Sequence, residues 1–317
     1  MLIRIPKTAE KAGLVPTEAI NDTFVISWHE GQLKVYCVGG PRLRKDYRIT
    51  NCDQFFYMKN GDMDLYVMEK GIPRKITIKQ GEVFVLPARI PMSPQRYSNT
   101  VGLRVERSRT RQELDCIRFY TKDNSDVLYE RWFKFTEPKD IQPVIDDFFA
   151  SEESKIGSIL LDILSTTGAH KNPFIRANLF NCIPSKNSKL MVAPYEPNEK
   201  LCVGEPFSLE QWLDRNSQRL NNGKLDLFQG EFKAEVIVYG TGKDEVVNKE
   251  RDTFIWAIHG TSFLDVAGEA TRILEVNDTG YIRRGRRYKI MREDGARVLQ
   301  ITFPHNQDAN DWQRTFD

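Results

Sequence analysis

Two blocks of short apolar runs constrain the fold of this chain more than any other feature. From Leu33 to about Tyr120 the runs LKVYCV, QFFYM, DLYVM, KITI, EVFVLP, VGLRVE and CIRFY recur. The turn signals GG, NG and KG and a Gln-Gly-Glu corner at 80–82 separate them, the pattern of strands joined by tight turns. Within DMDLYVM, Met63, Leu65 and Val67 fall on one face and Asp64, Tyr66 and Met68 on the other, because side chains alternate along a strand. So many short strands predict a small sandwich or barrel. The pattern returns from Phe232 to about Phe303, in KAEVIVYG, DTFIWAIHG, SFLDVAG, TRILEV, YKIMRE and ARVLQITF. There DTFIWAIHGTSFLDVAG echoes CDQFFYMKNGDMDLYVMEKG: strand, glycine turn, strand. Two β units of one plan suggest an internal duplication.

The segment between the blocks reads differently. Residues 141–164, IQPVIDDFFASEESKIGSILLDIL, place Val144, Ile145, Phe148, Phe149, Ile159, Leu160, Ile163 and Leu164 at helical spacing. A proline-bearing, loop-rich stretch runs from about 165 to 207. SLEQWLDRNSQRL then opens at Ser208 with Gln211 three residues on, the form of a capping box. The expected organisation is a first β unit over 1–140, a helical and loop linker over 141–220 and a second β unit over 221–317.

Composition narrows the partners. The 317 residues suffice for a substantial core, and a net charge of +2 gives no reason to expect nucleic acid or membrane. No apolar run reaches the ~18 residues a membrane helix needs, and MLIRIPKTAEKAG lacks a secretory apolar core. The five cysteines, Cys37, Cys52, Cys116, Cys182 and Cys202, are odd in number, scattered and without a C-x-x-C pair, so a reduced, cytoplasmic protein is expected. The four histidines are His29, His170, His259 and His305, with none between 30 and 169. His259 is too isolated for a metal site, His29 is expected to serve packing, and RRGRRYK at 283–289 is expected to be a solvated strand turn. Tyr47, Phe56, Phe84 and Trp132 are expected core aromatics.

KVYCVGGPRLRKDYRI (34–49), FYMKNGDMDLYVMEKG (56–71), QGEVFVLPARIPMSPQRYSNTVGLRVERSR (80–109) and DVLYERWF (126–133) closely resemble the 3-hydroxyanthranilate 3,4-dioxygenase family. The similarity is dense over roughly 28–135 and sparser but collinear beyond. The resemblance implies an all-β-dominated bicupin, two cupin-type β-barrels joined by helices and loops. Its active site lies in the first barrel, and the second barrel is degenerate. It also implies ferrous iron held by two histidines and a glutamate, with ring opening towards quinolinate. The cysteine-ligated second iron of bacterial relatives has no matching cysteines in this sequence.

Carried over residue by residue, the resemblance puts its iron ligands at Arg48, Gln54 and Met92. Arg48 is a permanent cation without a lone pair. Gln54 offers only a neutral amide oxygen, and Met92 a soft thioether poorly matched to ferrous iron. Asp53 is adjacent to Gln54, but one residue along a strand reverses the face. Cys52 would share the face of Gln54, leaving a soft Cys52–Gln54–Met92 set as a remote option. The resemblance places Arg44, Arg96 and Glu106 at substrate-binding positions, with Arg96 gripping a carboxylate and Glu106 at the amino and hydroxyl edge. Arg48 either adds positive charge to this pocket, with Glu106 compensating one arginine, or turns to solvent.

The expectation is therefore a pseudoenzyme: no catalytic residue, no cofactor where the family has iron, and a retained pocket for a small aromatic carboxylate of the kynurenine pathway. Regulatory association with a catalytic paralogue fits the same picture, as does a monomer. The alternatives are an active dioxygenase with an unrecognised iron site, and an interaction protein whose pocket has decayed.

Overall fold

The computed structural model describes residues 2–4, 31–110, 112–121, 126–155, 193–198, 201–221, 223–247 and 250–304. The first block forms β2 (Leu33–Gly39), β3 (Tyr47–Ile49), β4 (Gln54–Asn60), β5 (Met63–Glu69), β6 (Ile72–Ile78), β7 (Glu82–Leu86), β8 (Met92–Arg96), β9 (Val101–Arg107), β10 (Asp115–Tyr120) and β11 (Val127–Phe133), after a short β1 (Leu2–Arg4). The later strands are β12 (Phe207–Ser208), β13 (Lys224–Asp226), β14 (Glu235–Tyr239), β15 (Gly242–Val247) and β16 (Thr253–His259). They are followed by β17 (Ser262–Val266), β18 (Arg272–Leu274), β19 (Asp278–Ile282), β20 (Arg287–Arg292) and β21 (Arg297–Thr302).

Each β unit folds as two facing antiparallel sheets, and the result is the expected bicupin. The first barrel sets β12-β7-β4-β9-β2 against β11-β10-β3-β8-β5-β6, and the second sets β1-β19-β16-β21-β14-β13 against β15-β20-β17-β18. The echo between the units is structural. Both β4 and β16 carry a register irregularity just before a glycine, Gly61 or Gly260, each at φ +65°. Each glycine passes the chain to the barrel's other sheet. Two short strands cross the expected chain boundaries: β1 pairs with β19 in the second barrel, and β12 with β7 in the first.

The barrels meet through a shared core. Leu33, Val35, Phe55, Val83, Val85, Leu103 and Val105 of the first pack with Val236, Val238, Phe254, Trp256, Leu299 and Ile301 of the second. Strands β2 and β9 are therefore buried on both faces. Leu33, Val35, Leu103 and Val105 face the second barrel, and Lys34, Tyr36, Arg104 and Glu106 alternate into the first. Hydrogen bonds reinforce the junction. Asp53 Oδ2 accepts from the backbone N–H groups of Lys233 and Ala234 at 2.8 and 3.2 Å. Gln32 and Asp252 exchange two more, Gln32 N–H donating to Asp252 Oδ2 and Asp252 N–H to Gln32 Oε1.

Helix α1 (Ile141–Ala150) buries Ile141, Val144 and Phe148 and stacks Phe148 on Phe119 at 3.7 Å, but of the other positions its spacing predicted, Ile145 is half-buried and Phe149 exposed. It ends earlier than the periodicity suggested. Ser151 is extended, and its hydroxyl accepts from the N–H of Ser154, so it caps a new turn instead of continuing the helix. Residues 159–164 lie outside the described residues, as do His29, His170, Cys182 and His305. Ser208 caps α2 (Leu209–Arg215) by accepting from the Gln211 N–H. Among the described residues no helix is long and apolar enough to cross a membrane.

Candidate functional site

The register of the first barrel brings the singled-out residues to one level of its interior. Arg48 on β3 lies directly across from Met92 on β8, and Gln54 on β4 across from Glu106 on β9. Lys34 on β2 is the other cross-strand neighbour of Glu106. Side chains at opposed positions share a face, so Arg48 reaches from one sheet towards Glu106 on the other, 3.8 Å from Nη2 to Oε1. The corner LPARIPMSPQR sets this up. Arg89 takes a left-handed φ of +68°, and its N–H bonds Thr50 O at 2.7 Å. That fastens the approach to β8 beside the β3–β4 connection. Arg96 follows Met92 on the same strand face and is fully buried.

Arg48 does not turn to solvent, as one reading of the sequence allowed. It is 1% exposed, and its Nε and Nη2 donate to Asp115 Oδ2 at 3.0 and 2.5 Å. Arg109 engages the same carboxylate, Nε to Oδ1 at 2.8 Å, and reaches Glu106 Oε2 with Nη2 at 3.3 Å. Two arginines and two carboxylates thus form a buried network, a geometry that repays desolvation only when the charges are paired and hydrogen-bonded. Phe135 covers it, with the Arg48 guanidinium 3.9 Å from the ring centroid, Lys34 Nζ at 5.0 Å and Arg109 at 5.5 Å. Lys34 Nζ also donates to the Thr136 carbonyl, holding the Phe135 segment down.

Titration follows from this arrangement. Burial alone would raise the Glu106 carboxyl, but Arg109, Arg104, Arg48 and Lys34 outweigh it and hold it at about 2. Burial is also the largest influence on Arg48 and Arg109 and opposes their charge; Asp115 and Glu106 reverse it, so both stay firmly protonated. Lys34 goes the other way: burial lowers its ammonium and outweighs Glu106.

The other sequence-picked residues sort clearly. Arg44 is held by Asp46, Nε to Oδ1 at 3.0 Å, and its backbone pairs with the Gln95 side-chain amide. Met92 joins the apolar cluster of Phe56, Leu65, Val67, Phe84 and Leu86. Asp53 points out of the barrel into the junction, as strand alternation required. Tyr47, Phe56, Phe84 and Trp132 are buried. His259 Nε2 sits 2.9 Å from Glu210. Residues 283–287 are exposed as expected, while Tyr288 turns into the core; Arg286, Arg287 and Lys289 pair with Glu269 and Glu245. The sequence reading missed Asp115, Arg109, Lys34 and Phe135. Its usable signal was a charge set among apolar neighbours on a strand, as Asp115 is at the head of DCIRFY.

These residues do not fit a ferrous ion. The Arg48 guanidinium would repel one, Met92 is engaged in apolar packing, and arginines already hold Glu106 and Asp115. Burial pushes the Cys52 thiol up to about 11, so on its own it stays a thiol at neutral pH. Among the described residues no three His, Cys, Asp or Glu side chains are grouped to hold a metal.

Comparison with known proteins gives the lineage. A family model described as 3-hydroxyanthranilic acid dioxygenase matches residues 17–149. A 3-hydroxyanthranilate 3,4-dioxygenase from Homo sapiens is 36% identical over 86% of this chain and 87% of its own length. The protein belongs to the 3-hydroxyanthranilate 3,4-dioxygenase family. The dioxygenase of that name from Nematostella vectensis is 37% identical over 87% of this chain and 90% of its own length. Among solved structures, an oxalate decarboxylase from Bacillus subtilis aligns over 87% of this chain and 70% of its own, with 13% identity and a TM-score of 0.41. Within the dioxygenase family, then, this chain carries a guanidinium–carboxylate network in the interior of its first barrel.

Proposed function

We propose that this member of the dioxygenase family binds a small aromatic carboxylate in its first barrel and does not carry out iron-dependent ring opening. The observation that carries the reading is the buried Arg48–Asp115 pair, cross-strand from Met92 and within 3.8 Å of Glu106. The resemblance puts iron ligands at Arg48, Gln54 and Met92, and there the chain supplies a fixed positive charge and two neutral side chains. A substrate that had relied on a metal for its charge balance meets a guanidinium instead.

The same interior suits an aromatic acid. Arg96 is buried on the Met92 face, and a planar guanidinium fork matches a carboxylate. Glu106 is held ionised and accepts hydrogen bonds from the ring's substituents. Arg44, anchored by Asp46, has the smaller part. Phe135 closes the site and keeps water from weakening these charges.

The test loads purified protein with ferrous ion under anaerobic conditions, measures bound metal, follows 3-hydroxyanthranilate by absorbance and titrates it into metal-free protein by calorimetry. Heat of binding without stoichiometric iron or ring-opened product is the expected result. Stoichiometric iron with turnover overturns the reading in favour of an active dioxygenase. Absence of binding at millimolar ligand overturns it in favour of a role that does not use the pocket.

A further inference from the structure

Among the described residues, the buried polar atoms without a hydrogen-bond partner include Arg48 Nη1, Gln54 Oε1 and Glu106 Oε1, all in the interior of the first barrel. Their residues are each at most 1% exposed. They also belong together, since Gln54 is the cross-strand neighbour of Glu106 and Arg48 Nη2 lies 3.8 Å from Glu106 Oε1. Orphaned buried polar groups are rare and costly, so a cluster of them calls for an explanation.

The surrounding bonds fix which atoms are left over. Arg48 spends Nε and Nη2 on Asp115, leaving Nη1. Arg109 takes Glu106 Oε2, leaving Oε1. For Gln54 the amide orientation follows from Thr50. The Thr50 hydroxyl donates to the Cys52 carbonyl at 3.1 Å, so towards Gln54 it can only accept. Gln54 must turn its NH2 to Thr50, at 3.1 Å, and that leaves its carbonyl oxygen bare. The remainder is one donor and two acceptors.

We propose that Arg48, Gln54 and Glu106 read the polar substituents of the bound aromatic acid directly, with Gln54 as the specificity-determining residue. A ring hydroxyl donates to one acceptor and receives from Arg48 Nη1; an adjacent amino group donates to the other acceptor. One hydroxyl beside one amine satisfies all three atoms, and an unsubstituted ring satisfies none. This inference rests on the carboxylate-binding reading above. A site built to bond a polar substituent rejects the analogue lacking it far more strongly than an apolar pocket does.

The test is a ladder of calorimetric titrations on metal-free, full-length protein with 3-hydroxyanthranilate, 2-aminobenzoate and benzoate. Each lost substituent weakens binding by roughly tenfold or more, the effect of stranding a buried hydrogen-bonding group. Gln54→Met, close to Gln in volume, is expected to compress the ladder, weakening 3-hydroxyanthranilate more than benzoate. The wild-type ladder needs no variant to fold, so the proposal stays falsifiable if Gln54→Met is unstable. Equal affinities across the wild-type ladder overturn this inference alone and assign the three atoms to ordered water. A ladder that Gln54→Met leaves unchanged removes Gln54 from recognition and also overturns it. Binding of none of the three acids overturns the carboxylate reading, and this inference with it.

Discussion

Arg48 is stable in the barrel interior because Asp115, with Glu106 behind it, offsets its charge. Replacing Asp115 with Asn keeps the shape and removes the counter-charge, so a buried cation is left under-compensated. Breaking such a pair from one side costs about 3–5 kcal/mol, and equilibrium denaturation of Asp115→Asn is expected to show a loss of that size. Replacing both partners with apolar residues, Arg48→Met with Asp115→Leu, is expected to cost less than the single change. Glu106 adds a pH signature. Its folded-state value of about 2 lies below the ordinary 4.5, so its ionisation stabilises the fold above about pH 4.5, and that contribution fades as pH falls towards 2. The stability gap between wild type and Glu106→Gln is therefore expected to be widest near neutrality and to close in acid; a gap constant from pH 7 to 3 contradicts the assignment. Arg48, Gln54, Met92, Arg96 and Glu106 were all legible in the sequence through family resemblance. Asp115 was not. It lies 67 residues from Arg48, and nothing in one sequence states which strands become neighbours.

At the scale of elements, the strand–glycine–strand unit recurs, and its two glycines are not under equal constraint. Both sit at φ +65°, where a Cβ is strained. A Cβ on Gly260 would also lie 2.8 Å from Ala296 Cα, whereas one on Gly61 would meet the Thr100 methyl at 3.1 Å. The first obstacle is backbone and the second a side-chain tip. Gly61→Ala is expected to cost about 1 kcal/mol, and Gly260→Ala clearly more, as measured by shifts in denaturation midpoint. Strand and turn positions were readable because apolar runs and glycine dipeptides mark them locally. The early end of α1 was hidden, since apolar spacing continues past Ser151 while a hydroxyl cap, a local hydrogen-bond choice, overrides it.

For the whole molecule, the central fact is the core the barrels share. Trp256 is 1% exposed, packs in that core and lies 4.6 Å from the Tyr57 ring. Trp256→Ala removes a large side chain from the junction and is expected to cost about 3–5 kcal/mol. Because both barrels contribute to this core, wild-type unfolding is expected as one transition by calorimetry; two separated transitions would mean the barrels stabilise themselves independently. Two β units and their order were visible in the sequence. The face by which they join was not, because the alternation in LKVYCV and VGLRVE places apolar residues against the other barrel and charged ones inside the first, the reverse of a solvent-facing strand.

That reversal governs how freely the sequence can drift. A residue on β15 alternates between half-buried and exposed, so about every second position there tolerates almost any polar replacement. On β2 and β9 every position is enclosed, with one side answering to the second barrel and the other to the charges of the first. In a saturation library those two strands are where substitutions are purged on both parities at once. Along them the letters are held by architecture, whatever chemistry the first barrel carries.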